Sequence, residues 1–192
     1  MKTCLIVIDA QESFRQRPYF TERDVPAYLA AQNALIAGCD ARNIPIVRIY
    51  HVDGPKEISN AFAQESGFIQ PFKGLADFSA AATFVKSRHS ALVGTGLDVW
   101  LTQNGVDKIN ISGIRTEQCC ETTTRHASDL GWKVDYVMDA TLTFDMTQQG
   151  GKPLSAHDIK ARTATVLQDR FANIVTVEQA LAGADADADA DA

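Results

Sequence analysis

Lys108-Ile109-Asn110-Ile111-Ser112-Gly113-Ile114-Arg115-Thr116-Glu117-Gln118-Cys119-Cys120 decides the reading of this chain. Its apolar, β-type half ends at Gly113, and a helical pattern opens near Thr116. Cys119 therefore falls in the first turn of a helix, just beyond the C-terminal end of a strand. Open α/β sheets place their ligand crevices at such ends. The unpaired N–H groups and the dipole of a helix N-terminus favour a thiolate over a thiol there. Cys119 is thus a candidate nucleophile.

The same strand-then-helix unit recurs on either side. Upstream, Cys4-Leu5-Ile6-Val7-Ile8-Asp9 is a continuous apolar run closed by a carboxylate. Such runs suit strands buried on both faces, as in parallel sheets. Residues 26–43 predict a helix opened by Pro26, with Leu29, Asn33, Ile36 and Asp40 along one winding face. Residues 44–51 and 83–86 predict strands, and 96–104 a short helix stopped by Gly105. Downstream, 116–130 predict a helix stopped by Gly131, 133–140 a strand, 155–172 a helix, 173–177 a last strand and 177–182 a final helical turn or two. Between 52 and 82 the signal is broken by Gly54-Pro55, Gly67, Pro71 and Gly74. A loop of that length is usually functional, and substrate choice is expected to reside in it. About six alternations predict one α/β domain over residues 1–182. It should be a Rossmann-like, doubly wound, six-stranded parallel sheet with helices on both faces. The Asp-Ala alternation over residues 183–192 predicts a disordered, solubilising tail.

Composition excludes several classes. The chain has 192 residues, 45% hydrophobic and 22% charged, enough for one substantial core. Its net charge is −6, but the tail carboxylates Asp185, Asp187, Asp189 and Asp191 supply four of those charges. With no dense Lys/Arg cluster, no nucleic-acid footprint is expected. The longest apolar runs are strand-sized, so no membrane span is expected. Met1-Lys2-Thr3 leads straight into a strand pattern without a signal-peptide core, which points to the cytoplasm. The four cysteines, Cys4, Cys39, Cys119 and Cys120, form no CxxC pair and no zinc or disulfide framework. Cys4 and Cys39 read as small buried hydrophobes.

Three polar residues stand where strands empty into loops: Asp9, Lys86 and Cys119. The carboxyl ends of neighbouring strands converge on one crevice in a doubly wound sheet. A carboxylate there can accept the thiol proton and later protonate a leaving amine. An ammonium favours the thiolate and keeps the carboxylate ionised. The Cys119 N–H, with one from the preceding turn, can form an oxyanion hole.

At these residues the sequence resembles the isochorismatase-like cysteine hydrolases, over roughly residues 4–177. Asp9-Ala10-Gln11-Glu12-Ser13-Phe14 resembles the family's first motif. Phe84-Val85-Lys86, with Ser90-Ala91 and Thr95-Gly96-Leu97, resembles the second. Gly113-Ile114-Arg115-Thr116-Glu117-Gln118-Cys119 resembles the third, and Asp139-Ala140 also fits. The resemblance implies a catalytic Asp9–Lys86–Cys119 triad. It also implies a non-proline cis peptide between Ile114 and Arg115, which would aim the Arg115 N–H beside that of Cys119 as an oxyanion hole. Homodimers or homotetramers are usual in such a family.

Departures from the family pattern shape the remaining expectations. Arg115 replaces a commonly small residue; it is expected to bind an acidic substrate group or to point outward. Cys120 replaces an aliphatic residue and reads as packing. The nicotinamidase branch carries a metal on an Asp-x-His pair and a later His. Arg48-Ile49-Tyr50-His51-Val52-Asp53 lacks that pair, so neither metal nor cofactor is expected. Siderophore-type isochorismatases typically lack the cysteine, which shifts the expectation from vinyl-ether cleavage to C–N hydrolysis. The expected substrate is a small molecule. Phe14, His51, Ser90 and Arg115 are the candidate substrate-binding residues, with Phe62, Phe68 and Phe72 as possible cleft walls. His126 and Arg125 are expected to serve packing or a subunit contact. Two alternatives stay open: isochorismate-type ether hydrolysis on the same scaffold, and a non-catalytic thiol-sensing or binding module.

Overall fold

The computed structural model describes residues 1–190. β1 (Thr3–Ile8) is buried at every position and alternates its side chains between two cores, as a period of two requires. Leu5 and Val7 enter one core, Cys4, Ile6 and Ile8 the other. Both faces of this strand must be covered, which accounts for its continuous apolar run.

α1 (Val25–Asp40) follows β1, then β2 (Ile46–His51) and β3 (Ala82–Lys86). After α2 (Leu97–Gln103) come β4 (Lys108–Ile114), a π-helical turn at Thr116–Cys120 and α3 (Glu121–Asp129). β5 (Lys133–Leu142) precedes a small antiparallel ribbon of β6 (Met146–Thr147) and β7 (Pro153–Leu154). α4 (Ala156–Leu167), β8 (Asn173–Val175) and α5 (Val177–Ala190) complete the chain. The main sheet has six strands, all paired in parallel, in the order β3-β2-β1-β4-β5-β8. α1 and α5 pack on one face through Leu35, Ile36, Cys39 and Ala180. Leu97, Leu101, Ala127 and Leu167 bring α2, α3 and α4 to the other. The expected doubly wound sheet is therefore present. A third apolar cluster, with Phe14, Tyr28, Phe72 and Phe144, caps the C-terminal edge.

Strand order reverses between β1 and β4, so chains leave these neighbours in opposite directions and open a crevice between them. Gly113 sets how closely the two strands approach. It pairs with Ile8 and has φ +124°, and a Cβ there would lie 1.9 Å from the Ile8 carbonyl oxygen. No other residue satisfies both the backbone angle and the space. The close approach places the turn carrying Cys119 beside Asp9, the residue after Ile8.

Several boundaries differ from the sequence reading. The buried stripe of α1 is Val25, Tyr28, Gln32, Leu35, Ile36 and Cys39, not the face holding Asn33 and Asp40. Asn33 instead pins the long loop, donating to Gly74 O at 2.9 Å and accepting from Ala76 N–H at 2.7 Å. The expected disorder from residue 183 is corrected: α5 continues through Ala190, and Asp185 pairs with Arg42 at 2.7 Å. The alanines of the repeat are strong helix formers, and the first of its aspartates falls opposite that guanidinium. Residues 191–192, the end of the expected tail, lie outside the described residues. Among the described residues no helix is long and apolar enough to cross a membrane.

Candidate active site

Asp9, Lys86 and Cys119 come from three different strand ends and meet in one buried cluster. Asp9 sits at φ +50°, a left-handed turn that Asp tolerates better than most residues. Its N–H donates to Ile49 O at 2.9 Å and its carbonyl accepts from Gln11 N–H at 2.8 Å. Lys86 ends β3 in register with His51 of β2 and reaches across that strand to β1. Its Nζ lies 2.7 Å from Asp9 Oδ2, with both side chains fully buried. The same ammonium donates to Cys119 Sγ at 3.3 Å and contacts His51 Nδ1 at 2.9 Å. Asp9, His51 and Cys119 hold ligand-type atoms within 4.8 Å of one another. A metal ion among them would compete with the ammonium for the same three acceptors.

Gln11, two residues after Asp9, fixes the end of β2. Its Nε2 donates to His51 O at 2.9 Å and to Ser13 Oγ at 2.8 Å, while its Oε1 accepts from His51 N–H at 2.7 Å. Cys119 occupies the π-helical turn, where the sequence reading had one continuous helix from 116. Its carbonyl accepts from Thr123 Oγ1 at 2.7 Å, tying the turn to α3. The Ile114–Arg115 peptide is cis.

Electrostatics correct one expectation. The helix N-terminus was expected to favour a thiolate at Cys119. Burial, then the Asp9 charge, instead push the thiol well above its ordinary range, and Lys86 offsets only part of this. Both effects favour the thiol over the thiolate at rest. Burial also raises the Asp9 carboxyl, against the opposing pull of Lys86. Burial alone would lower Lys86, but Asp9 and Cys119 outweigh it and hold the ammonium above the ordinary lysine value. The cluster is therefore an ion pair beside a thiol, and burial makes its carboxylate a stronger base than an exposed one. His51 is pushed down to about 4 by burial and by the neighbouring ammonium, so its ring is neutral.

A cavity of about 470 Å³ opens beside this cluster, lined by Asp9, Cys119, Gln118, His51 and His89. Phe14, Arg17 and Tyr19 form one wall, and the loop after β2 forms another with Gly54, Pro55, Glu57, Asn60 and Phe62. Phe62 meets Phe14 edge-on at 5.1 Å and His51 at 5.8 Å. Two of the four candidate substrate-binding residues, Phe14 and His51, line the cavity. The Ser90 and Arg115 side chains lie outside its lining, and both expectations are corrected. Ser90 Oγ is 2.9 Å from His126 Nδ1 and accepts from Leu92 N–H, joining the segment after β3 to α3. Arg115 is buried, with Nη2 3.0 Å from Glu117 Oε1 and its guanidinium 4.8 Å above the Tyr19 ring. It braces a cavity wall from behind. Phe72 is likewise no wall but part of the third apolar cluster.

Cys120 is fully buried in the main core, as packing requires. Arg125, with Arg162 and Thr163, closes on the buried Glu121 and joins α3 to α4. Arg17, Tyr19, Asn60 and Gln118 went unread in the sequence. Arg17, Tyr19 and Asn60 sit in irregular segments with no periodicity to place them. Gln118 could have been flagged as the neighbour of the nucleophile.

Comparison with known proteins agrees with the fold. The isochorismatase domain matches residues 3–179. The chain is 28% identical to the isochorismatase family protein YrdC of Bacillus subtilis (strain 168), over 93% of this chain and 94% of that protein. It is 40% identical to nicotinamidase 3 of Arabidopsis thaliana over 60 residues, 31% of this chain and 30% of that protein. The crystal structure of an isochorismatase-family protein from Chromobacterium violaceum superposes with a TM-score of 0.85 at 26% identity, covering 95% of this chain and 93% of that one. A fold, a strand order and a matched domain that span nearly the whole chain lead to one conclusion: the protein belongs to the isochorismatase family of hydrolases.

Proposed function

We propose that the protein hydrolyses an amide or related C–N bond of a small molecule, with Cys119 as nucleophile. The observation that carries this reading is the Cys119 thiol held 3.3 Å from Lys86 Nζ, itself 2.7 Å from Asp9, at the side of one cavity. Asp9 takes the thiol proton as sulfur attacks the carbonyl carbon, and the C=O electron pair moves onto oxygen. The Arg115 and Cys119 N–H groups receive that oxyanion. Collapse of the intermediate breaks the C–N bond, and Asp9 returns its proton to the departing nitrogen. Water then attacks the thioester, giving its proton to Asp9, and the acid departs as sulfur regains a proton. Lys86 stays charged throughout and stabilises the thiolate as it forms.

The cysteine supports C–N hydrolysis over ether cleavage, because only the former uses a covalent sulfur intermediate. The likeness to a nicotinamidase, though confined to 60 residues, points the same way. The test is a panel of small amides, carbamoyl compounds and isochorismate, assayed with wild type and Cys119→Ala. Loss of at least about a thousandfold in turnover on an accepted amide is expected for the variant. Mass spectrometry should find the acyl mass on Cys119. Full turnover by Cys119→Ala would remove the nucleophile, and turnover of isochorismate with no adduct would replace the reaction by ether hydrolysis.

A further inference from the structure

Lys86 Nζ has three neighbours at hydrogen-bonding distance: Asp9 Oδ2 at 2.7 Å, His51 Nδ1 at 2.9 Å and Cys119 Sγ at 3.3 Å. An ammonium carries three hydrogens and no lone pair. Each neighbour must therefore accept, and three acceptors use the donor capacity completely. Two of them belong to the reaction proposed above; the third, His51, does not. We propose that His51 is a positioning residue of this site: it takes the third hydrogen of Lys86, and this fixes its neutral ring as the tautomer whose Nε2–H faces the cavity.

The surrounding structure is built to hold that acceptor. Gln11 grips the His51 peptide from both sides, donating to its carbonyl and accepting from its N–H. Gln11 is itself fully buried and lies two residues from Asp9, so one short segment places two of the three acceptors. β2 and β3 pair His51 directly with Lys86, which sets the ring beside the ammonium. Phe62 edges against the imidazole at 5.8 Å and limits its rotation. The charged or titratable groups that act on the ring are Lys86, Asp53 and His89. His51 is also a lining residue of the cavity. With Nδ1 committed to Lys86, its remaining nitrogen is a hydrogen-bond donor without a partner among the described residues. A substrate meeting this wall meets a neutral donor, suited to a carbonyl or carboxylate oxygen. Without the third acceptor the long Lys86 chain has a free hydrogen and a reason to turn, and its hold on sulfur weakens.

The inference rests on Lys86 and Cys119 acting as a pair, but its test uses no substrate. Only four histidines are present, so their ¹⁵N ring signals can be resolved, with His51 assigned by its loss in His51→Asn. The expected spectrum shows His51 Nδ1 as an unprotonated, accepting nitrogen and Nε2 as protonated, with no titration between about pH 5 and 8. A protonated Nδ1, or a ring that titrates in that range, would overturn the proposal. In a second arm, the alkylation rate of Cys119 by iodoacetamide is read by peptide mass at about pH 8. His51→Ala should slow it about tenfold, the equivalent of one pKa unit in thiolate. His51→Asn, whose side-chain oxygen can replace Nδ1, should restore it to within about twofold of wild type. An unchanged rate in His51→Ala, or no rescue by Asn, would defeat the positioning role. If the Ala variant fails to fold, the ring spectrum and the Asn variant still decide. Inactivity on every amide would retire the proposed reaction and leave both of these readings in place.

Discussion

Lys86 and Asp9 meet at the C-terminal end of the sheet at 2.7 Å; Lys108 and Asp135 meet towards its N-terminal end at 3.0 Å. Both pairs are buried, and both join residues of different strands. They differ in what completes them. Asn173 donates to Asp135 at 2.8 Å, and that amide neither gains nor loses charge at ordinary pH. A thiol and a neutral imidazole complete the Lys86 pair, and a cavity opens beside it. The lesson is that a buried ion pair is by itself a structural device. It becomes a candidate for chemistry when a nucleophile shares its charge and a substrate-sized space borders it.

The sharpest way to break this contrast is to neutralise one member of the ion pair at each end. Asp9→Asn keeps the shape but removes the proton acceptor. It should lower kcat/KM on an accepted substrate by about a thousandfold, on the order of 4 kcal/mol of barrier, measured per folded molecule. An active Asp9→Asn enzyme would mean that some other group takes the thiol proton.

Gly113→Ala tests how the reactive end is assembled. The added methyl would meet the Ile8 carbonyl at 1.9 Å on a backbone at φ +124°. A cost of about 3 kcal/mol or more in urea unfolding is expected. In whatever folded fraction remains, β1 and β4 must separate, so Cys119 should also be displaced from Asp9. A variant of wild-type stability and activity would show that the close approach is not what positions the pair.

Lys108→Met is the matching test at the other end. It removes the cation beside a buried carboxylate and leaves only the Asn173 hydrogen bond, so stability should fall by about 3 kcal/mol. Turnover per folded molecule should stay within about twofold of wild type. A large loss of turnover would erase the distinction between the two ends.

How much of this was legible in the sequence follows from the same contrast. The strands and their order of appearance were readable, because a strand buried on both faces leaves a continuous apolar run, as in residues 4–8. Asp9, Lys86 and Cys119 were readable because each closes or follows such a run. What lay outside was set by side-chain direction, which one-dimensional spacing does not encode. Arg115 stands four residues from the nucleophile yet turns back onto Glu117 and Tyr19. Ser90 follows Lys86 closely yet faces His126. Tyr19 and Asn60 reach the cavity from irregular segments, where no period marks an inward face. The π-helical turn escaped because its residues have ordinary helical propensities. The resting thiol escaped because desolvation depends on the whole fold, whereas a helix N-terminus is visible locally.

The smallest expected effect concerns how the imidazole that completes the reactive pair responds to acid. In the folded chain His51 is held down to about 4, from an ordinary value of 6.5. Between those values the unfolded chain binds a proton that the folded chain refuses. The resulting stabilisation is fully present above about pH 6.5 and is lost as pH falls towards 4. Its size should be on the order of 1–2 kcal/mol, less than the whole shift implies because the ring borders an open cavity. Carboxylates elsewhere also titrate in this range, so the quantity to measure is the difference between wild type and His51→Asn in urea unfolding across it. The two curves should run parallel above pH 6.5 and converge or cross below it, as the wild type alone loses this contribution. If they stay parallel throughout, His51 carries no protonation penalty. The reactive pair would then be no more sensitive to acid through its third neighbour than the Lys108 pair is through its amide.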